Sequence, residues 1–312
     1  MRTVLLALLS IIPPIAHAID TSPIAVVNSL PVAQGAGLST PKAALLNDKG
    51  DIQLRLNGHI ESHANNAGSN TETLILDGES HSIGLQVDWG FAERWQAFIG
   101  AKALRNTPGQ LDNLIDEWHD FFSLNGGDRD LQEEDQLLFF YIGLDRTAEV
   151  SKSNSAISDV QIGISRQLIS SSRLNLAIHG EARLPNNKIQ QALGSDKTDF
   201  SLAIAASGSG TSIGWHSNLG ALAIGDNTLF AIPTRSSTWF SSFGAHWQAS
   251  TRWRWSAQVD GHGAIFDSNI REINKSAWQL ALAGDGVAKI PRSNSILQKI
   301  FRSIERLILP LV

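Results

Sequence analysis

Apolar and polar residues alternate along most of this chain. In Ile52-Gln53-Leu54-Arg55-Leu56-Asn57-Gly58-His59-Ile60-Glu61 every even position is apolar or glycine, and every odd position is polar. A period of two held over roughly ten residues predicts a β-strand with one apolar face and one wet face. The pattern returns many times. Ile83, Leu85, Val87 and Trp89 oppose Ser82, Gln86 and Asp88, and Trp95, Ala97, Ile99 and Ala101 oppose Arg94, Gln96 and Lys102. Further runs start at Val160, Leu174, Phe200, Trp239, Trp253 and Trp278, with less regular ones at 138–144 and 213–223.

The connectors give these strands a common plan. Gly90-Phe91-Ala92-Glu93, Ser207-Gly208-Ser209-Gly210 and Ala249-Ser250-Thr251 are short, whereas 105–135 and 185–198 are long. Short turns on one rim and long loops on the other predict an all-β, antiparallel transmembrane β-barrel of roughly 12 strands over 51–286. The alternation of short and long slips between Tyr141 and Ser172, where a strand is missed or merged.

Parity then assigns faces. Arg55, His59, Glu61, Lys102, Arg173, Glu181, Arg252, Arg254 and Asp260 fall on the polar face and are expected to line the lumen. Trp89 and Trp95 flank one short turn, Trp247 and Trp253 another, and all four share the apolar face of their strands. That places them in an aromatic girdle at a membrane interface. The alternative is a soluble sandwich with buried indoles. The charges on the opposite faces favour the wet lumen.

Three segments depart from period two. Leu111, Leu114, Ile115, Trp118, Phe121 and Phe122 recur at helical spacing within 109–124. They predict a short helix over the mouth or inside the lumen, a plug presenting Leu111, Ile115, Trp118 and Phe122; a lid that grips a ligand is the other reading. Residues 19–50 form an extended lead-in, rich in Pro, Ala, Ser and Gly up to Pro41 and expected in the periplasm. Within 287–312, Ile296, Leu297, Ile300, Phe301, Ile304, Leu307 and Ile308 make an apolar stripe beside Lys299, Arg302 and Arg306. This predicts a C-terminal amphipathic helix, lying on a membrane surface or without an evolved role.

Composition narrows the compartment. Arg2, the apolar run from Val4 to Ile12 and the small-x-small triplet Ala16-His17-Ala18 read as a secretory signal peptide over 1–18, cleaved before Ile19. The run is too short for the ~18 apolar residues of a membrane anchor. The chain has no cysteine, which excludes disulfides and thiolate sites. A net charge of −5 carries no basic stripe for nucleic acid. Nine tryptophans point to interfaces between water and lipid.

Candidate chemistry is sparse. His59, Glu61 and His63 share a strand face about 7 Å apart and could offer metal ligands, but no further residue completes a shell by spacing. His119 and Asp120 are neighbours in the loop helix and point apart. His179 and His246 fall on the polar parity with no nucleophile motif beside them, which weakens a lipid-hydrolase reading. No catalytic residue, cofactor or metal is assigned.

The stretches Leu76-Asp77-Gly78-Glu79-Ser80, Leu111 to Phe122 followed by Gly126-Gly127-Asp128-Arg129-Asp130, and Gly194-Ser195 with Asp199 carry a resemblance. The chain resembles an uncharacterised family of Gram-negative outer-membrane barrels up to about Gly286. It is more weakly similar to the barrels of aromatic meta-pathway degradation. Those have a Leu-Pro-Thr-Gly turn where this chain has Leu184-Pro185-Asn186-Asn187. The resemblance implies a closing β-hairpin with a terminal aromatic residue, whereas this chain departs after Gly286. It implies a membrane barrel and supplies no catalytic residues. The expected function is a passive outer-membrane pore for small solutes, apolar ones included. The alternatives are a non-conducting structural barrel plugged by 109–124, and a lipid enzyme. Expected partners are outer-membrane lipid and the barrel-insertion machinery, with no nucleic acid.

Overall fold

The computed structural model describes residues 19–25, 28, 30–109, 111–123, 135–143, 145–171, 173–250, 253–286 and 307–311. The signal segment, Arg252 and most of the C-terminal tail lie outside these residues.

The alternating runs form one antiparallel sheet, fourteen strands among the described residues. It begins with β1 (Ile52–Gly68), β2 (Glu72–Ala92) and β3 (Trp95–Thr107), each paired to the next. A helix, α1 (Asp112–Phe122), and three short strands follow: β4 (Leu138–Gly143), β5 (Arg146–Val150) and β6 (Asn154–Ile157). The ladder resumes through β7 (Val160–Ser170), β8 (Asn175–Leu184), β9 (Asp199–Ser209) and β10 (Ile213–Ala223). A small hairpin, β11 (Thr228–Leu229) with β12 (Ile232–Pro233), sits in the next loop. The sheet continues as β13 (Ser237–Gln248), β14 (Trp253–His262), β15 (Ala277–Gly286) and β16 (Leu307–Leu311).

The short strands explain the slip in loop alternation. Residues Glu79 to Ala92 of β2 pair with β3, but Glu72 to Asp77 pair with β4. In the same way Trp95 to Gly100 of β3 pair with β7, and Ala103 to Asn106 with β6. Thus β4 prolongs the line of β3, and β5 and β6 prolong that of β7. The partner switch in β2 falls at Gly78, whose φ is 128°. A Cβ there would meet the Leu137 side chain at 2.8 Å and the Thr107 carbonyl at 3.0 Å. Only glycine suits that backbone region.

With this hairpin placed, the rims separate. The turns after β2, β7, β9 and β13 are short and share one rim. The connections after β3, β8, β10 and β14 are longer and share the other. The sheet also curls. Glu72, near one end of the ladder, accepts hydrogen bonds from the Ser268 hydroxyl and the Asn269 N–H (2.9 Å), which lie beyond β14 at the far end. Among the described residues no ladder joins the edge strands β1 and β16.

The two faces are inverted relative to a soluble protein. Ile60, Ile83, Leu202, Leu219, Phe243 and Trp278 are 55–63% exposed. Asp88, Gln96, Ser165, His179, Glu181, Asn218, His246, Arg254 and Gln258 are buried. A water-soluble sandwich with buried indoles would show the reverse. The apolar outer face fits lipid, and the antiparallel ladder satisfies the strand backbone there.

Two expectations change. The lead-in lies against the inner wall, buried nearly throughout 32–39, and not outside the barrel in the periplasm. Of the C-terminal stretch expected to be helical, Leu307–Leu311 is extended and pairs with β15, Leu282 opposite Leu309. The rest of that stretch lies outside the described residues.

Candidate functional site

The lumen is the candidate site, and its occupant is the lead-in. Starting at the short-turn rim, Asp20 meets Arg254 of β14 in an ion pair at 3.1 Å. The chain then climbs β14. Gln258 takes both backbone groups of Ile24: its Oε1 accepts the N–H at 2.8 Å and its Nε2 donates to the carbonyl at 2.9 Å. Asn28 reaches His262 near the top of β14 at 2.9 Å. A tight turn follows, with N–H groups of Ala33 and Gln34 donating to the Leu30 carbonyl.

The return limb descends over β8, β9, β10, β7 and β3. Arg183 donates to the Gly35 carbonyl at 2.9 Å, and Asp199 accepts the Gly37 N–H at 2.9 Å. The Lys42 N–H donates to Asn218 at 2.9 Å, and its Nζ lies 2.9 Å from Glu181 and 4.2 Å from the centre of the Phe98 ring. Gln167 repeats the double contact of Gln258, taking the Leu46 N–H at 2.9 Å and the Ala44 carbonyl at 2.8 Å. Gln96 accepts the Asn47 N–H at 2.9 Å. The limb ends at the short-turn rim, where Gly50 donates to the Gly90 carbonyl.

Close approach requires small residues. A Cβ on Gly37 would lie 2.7 Å from the Asp199 carboxylate. The wall side chains hold mainly backbone groups, so each bond stabilises by about 1 kcal/mol net but costs more if left unmade.

At the long-loop rim the turn of the lead-in meets an apolar cap. Val32, Ala33, Ala36 and Leu38 pack in one buried cluster with Leu74, Phe139, Tyr141, Leu229, Phe230, Phe266 and Ile270. The cap is braced by acids. Asp159 pairs with Arg183 and accepts the Ser195 hydroxyl at 2.6 Å and the Asn186 N–H at 3.0 Å. Asp226 accepts N–H groups of Asp196 and Lys197, both at 3.1 Å. Burial pushes the Asp226 carboxyl up, and these N–H groups oppose that shift. Between lead-in and wall, beside Lys42, Arg55 and Asp88, remains a cavity of about 10 Å³, the space of a single water.

The sequence-predicted residues distribute as follows. Glu181, Arg254 and Asp260 are buried on the inner face. Arg55, His59, Glu61 and Lys102 are half-buried there, and Arg55 pairs with Asp88 at 2.7 Å. Arg173 is not in the lumen: it stands exposed in the short turn before β8. His63 donates or accepts at Ser80 across 3.0 Å, and among the described residues no group of three or more His, Asp or Glu is arranged to hold a metal. Ser165 and His179 are 2.8 Å apart on the inner wall, where both line the cavity beside Lys42. His246 is also internal, 2.7 Å from His216.

Trp89, Trp247 and Trp253 are 50–56% exposed, and Trp95 is half-buried under the Arg166 guanidinium. Just before α1, Leu111 is half-buried, its N–H donating to Glu79 at 2.6 Å. Phe122 is 50% exposed and Phe121 81%, so these rings do not fill the lumen. The side chains of Ile115 and Trp118 lie outside the described residues. Sequence reasoning placed Gln96, Gln258 and Asp159 on the polar parity and quoted Asp199 in the resemblance without giving any of them a role; it missed Gln167 and Asn218, whose one signal was their polar parity.

The chain belongs to the family described as "Protein of unknown function (DUF3187)", which matches residues 2–290. No curated protein matches it. Among solved structures it is similar to one titled "NanC porin structure in rhombohedral crystal form", at 8% identity and a TM-score of 0.42, over 75% of this chain and 79% of that one.

Proposed function

We propose that this protein is an outer-membrane β-barrel channel for small solutes, closed at rest by its own lead-in. The inverted wall carries the reading: apolar side chains are exposed outside while polar ones are buried against the lead-in. The signal-like segment at 1–18 supports export, and the tryptophans flanking the short turns support a membrane interface. The lead-in along the inner wall supports a pore closed at rest over one that stands open. Conduction requires the lead-in to move, and its bonds to the wall are polar, so water can replace them. The Ser165–His179 pair faces inward, which speaks against the lipid-enzyme reading.

The apolar cap favours a second reading, a barrel that never conducts. Planar-bilayer recording separates the two. The chain starting at Ile19 should be nearly silent, and a chain lacking 19–47 should show steady open conductance. A shortened chain that folds, judged by slower migration after boiling, yet stays silent would remove the channel reading.

A further inference from the structure

We propose that the lumen is a binding site for extended peptides bearing a lysine-type ammonium group, and that the lead-in occupies it as a tethered stand-in with Lys42 in the ammonium position. This rests on the channel reading above and names the solute class it would take.

The wall reads polypeptide backbone. Gln258 and Gln167 each hold an N–H and a carbonyl of the occupant at 2.8–2.9 Å. Asn218 and Gln96 each accept one further N–H at 2.9 Å. Such contacts are blind to side-chain identity, so a different extended chain can make them. One side chain is also recognised. The Lys42 ammonium lies between the Glu181 carboxylate, at 2.9 Å, and the Phe98 ring face, at 4.2 Å from its centre. A carboxylate opposite an aromatic face is a cradle for a desolvated ammonium.

Glu181 favours a cation. Its carboxylate contacts are Lys42 and the Ser39 hydroxyl, both from the lead-in. The other wall acids beside it are neutralised within the wall, Asp88 by Arg55 and Asp159 by Arg183. When the lead-in withdraws, Glu181 loses both contacts and presents an unpaired carboxylate to the lumen, which favours a cationic replacement.

The test is calorimetry on the folded chain starting at Ile19, in detergent, with tri-lysine, tri-alanine and spermidine as probes. Lys42→Ala frees the cradle. Tri-lysine should bind this variant at least about tenfold tighter than the unaltered chain, because the tethered competitor has lost its anchor. Adding Glu181→Gln should abolish the gain. Tri-alanine, lacking the ammonium side chain, and spermidine, lacking backbone amides, should both bind more weakly than tri-lysine.

Equal affinity before and after Lys42→Ala, a gain that survives Glu181→Gln, or spermidine as tight as tri-lysine would each overturn the proposal. The unaltered chain gives a second measurement that needs no variant. Millimolar tri-lysine, but not tri-glutamate, should render 19–48 cleavable by thermolysin, and unchanged protection overturns the proposal. Binding is read without conductance, so the two readings fail separately. A chain that conducts once shortened but ignores tri-lysine keeps the channel and loses this site, and one that binds without conducting does the opposite.

Discussion

The outer and inner faces of the same strands obey opposite rules. On β10, Ile213, Trp215 and Leu219 point outward, from 37% to 65% exposed, while His216 and Asn218 between them are at most 3% exposed. Outside, residues are chosen for transfer into lipid, and neighbours matter little as long as they are apolar. Inside, each polar atom needs a partner, because a buried polar group without one costs about 1–3 kcal/mol. The wall therefore tolerates exchange on one face and demands complementarity on the other. The lead-in supplies that complementarity.

The sharpest way to break the comparison is to put a charge on the lipid face. Leu219 lies near the middle of β10 and is 63% exposed, opposite Ile204 of β9. Leu219→Arg should cost roughly 2–4 kcal/mol at the bilayer midplane. Leu219→Phe should cost less than about 1 kcal/mol. Urea titration of the protein folded into vesicles measures both. Equal effects would mean that this face does not meet lipid.

On the inner face the same kind of intrusion should displace the lead-in and spare the barrel. Gly37→Val would drive a side chain into the Asp199 carboxylate, which lies 2.7 Å from the position of its first carbon. Overpacking of this kind costs about 1–3 kcal/mol in a rigid core. Here the lead-in can yield, so global stability should fall by less than that, while conductance rises and 19–48 becomes cleavable. A full loss of stability with no gain in conductance would show that lead-in and wall unfold as one unit.

The difference between faces also decided what could be read from the chain alone. Parity is a local signal, so the strands from Ile52 to Gly286 and the inward direction of Glu181, Arg254 and Asp260 were legible. Arg173 was misplaced because alternation runs on past the point where β8 begins, at Asn175. The phase slip had a cause that periodicity cannot show: β2 changes partners at Gly78, and the short strands β4 to β6 fill the space. The lead-in was illegible because its structure is held by wall side chains gripping backbone, which imposes no pattern on its own residues. Leu307–Leu311 misled for a different reason. A continuous apolar run suits a helix face or a strand, and the free ladder of β15 settles it from outside the segment. Pro310 within it lacks an N–H, as an edge strand permits.

The smallest expected effect concerns where the lipid face ends. Tryptophan marks two levels. Trp89, Trp95, Trp247 and Trp253 flank the short turns, and the rings of Trp89 and Phe91 are 5.8 Å apart. At the other rim Trp239 and Trp278 pair across 5.7 Å. Trp239 and Trp247 lie eight residues apart on β13. At ~3.4 Å per residue that is about 27 Å along the strand. A strand tilt of ~35–45° reduces the height to ~20 Å, close to the ~25 Å apolar band of such barrels. If both levels are interfacial, lipids brominated near the headgroup should quench both sets of indoles more than lipids brominated at the acyl end. Replacing Trp239 or Trp278 by Leu should then shift stability by no more than about 1 kcal/mol, since each ring trades an amphipathic contact for an apolar one. Selective quenching of the short-turn set alone would place Trp239 and Trp278 above the membrane. The lipid face would then be shorter than the tryptophans suggest, and Leu219 would lie nearer its upper boundary than its middle.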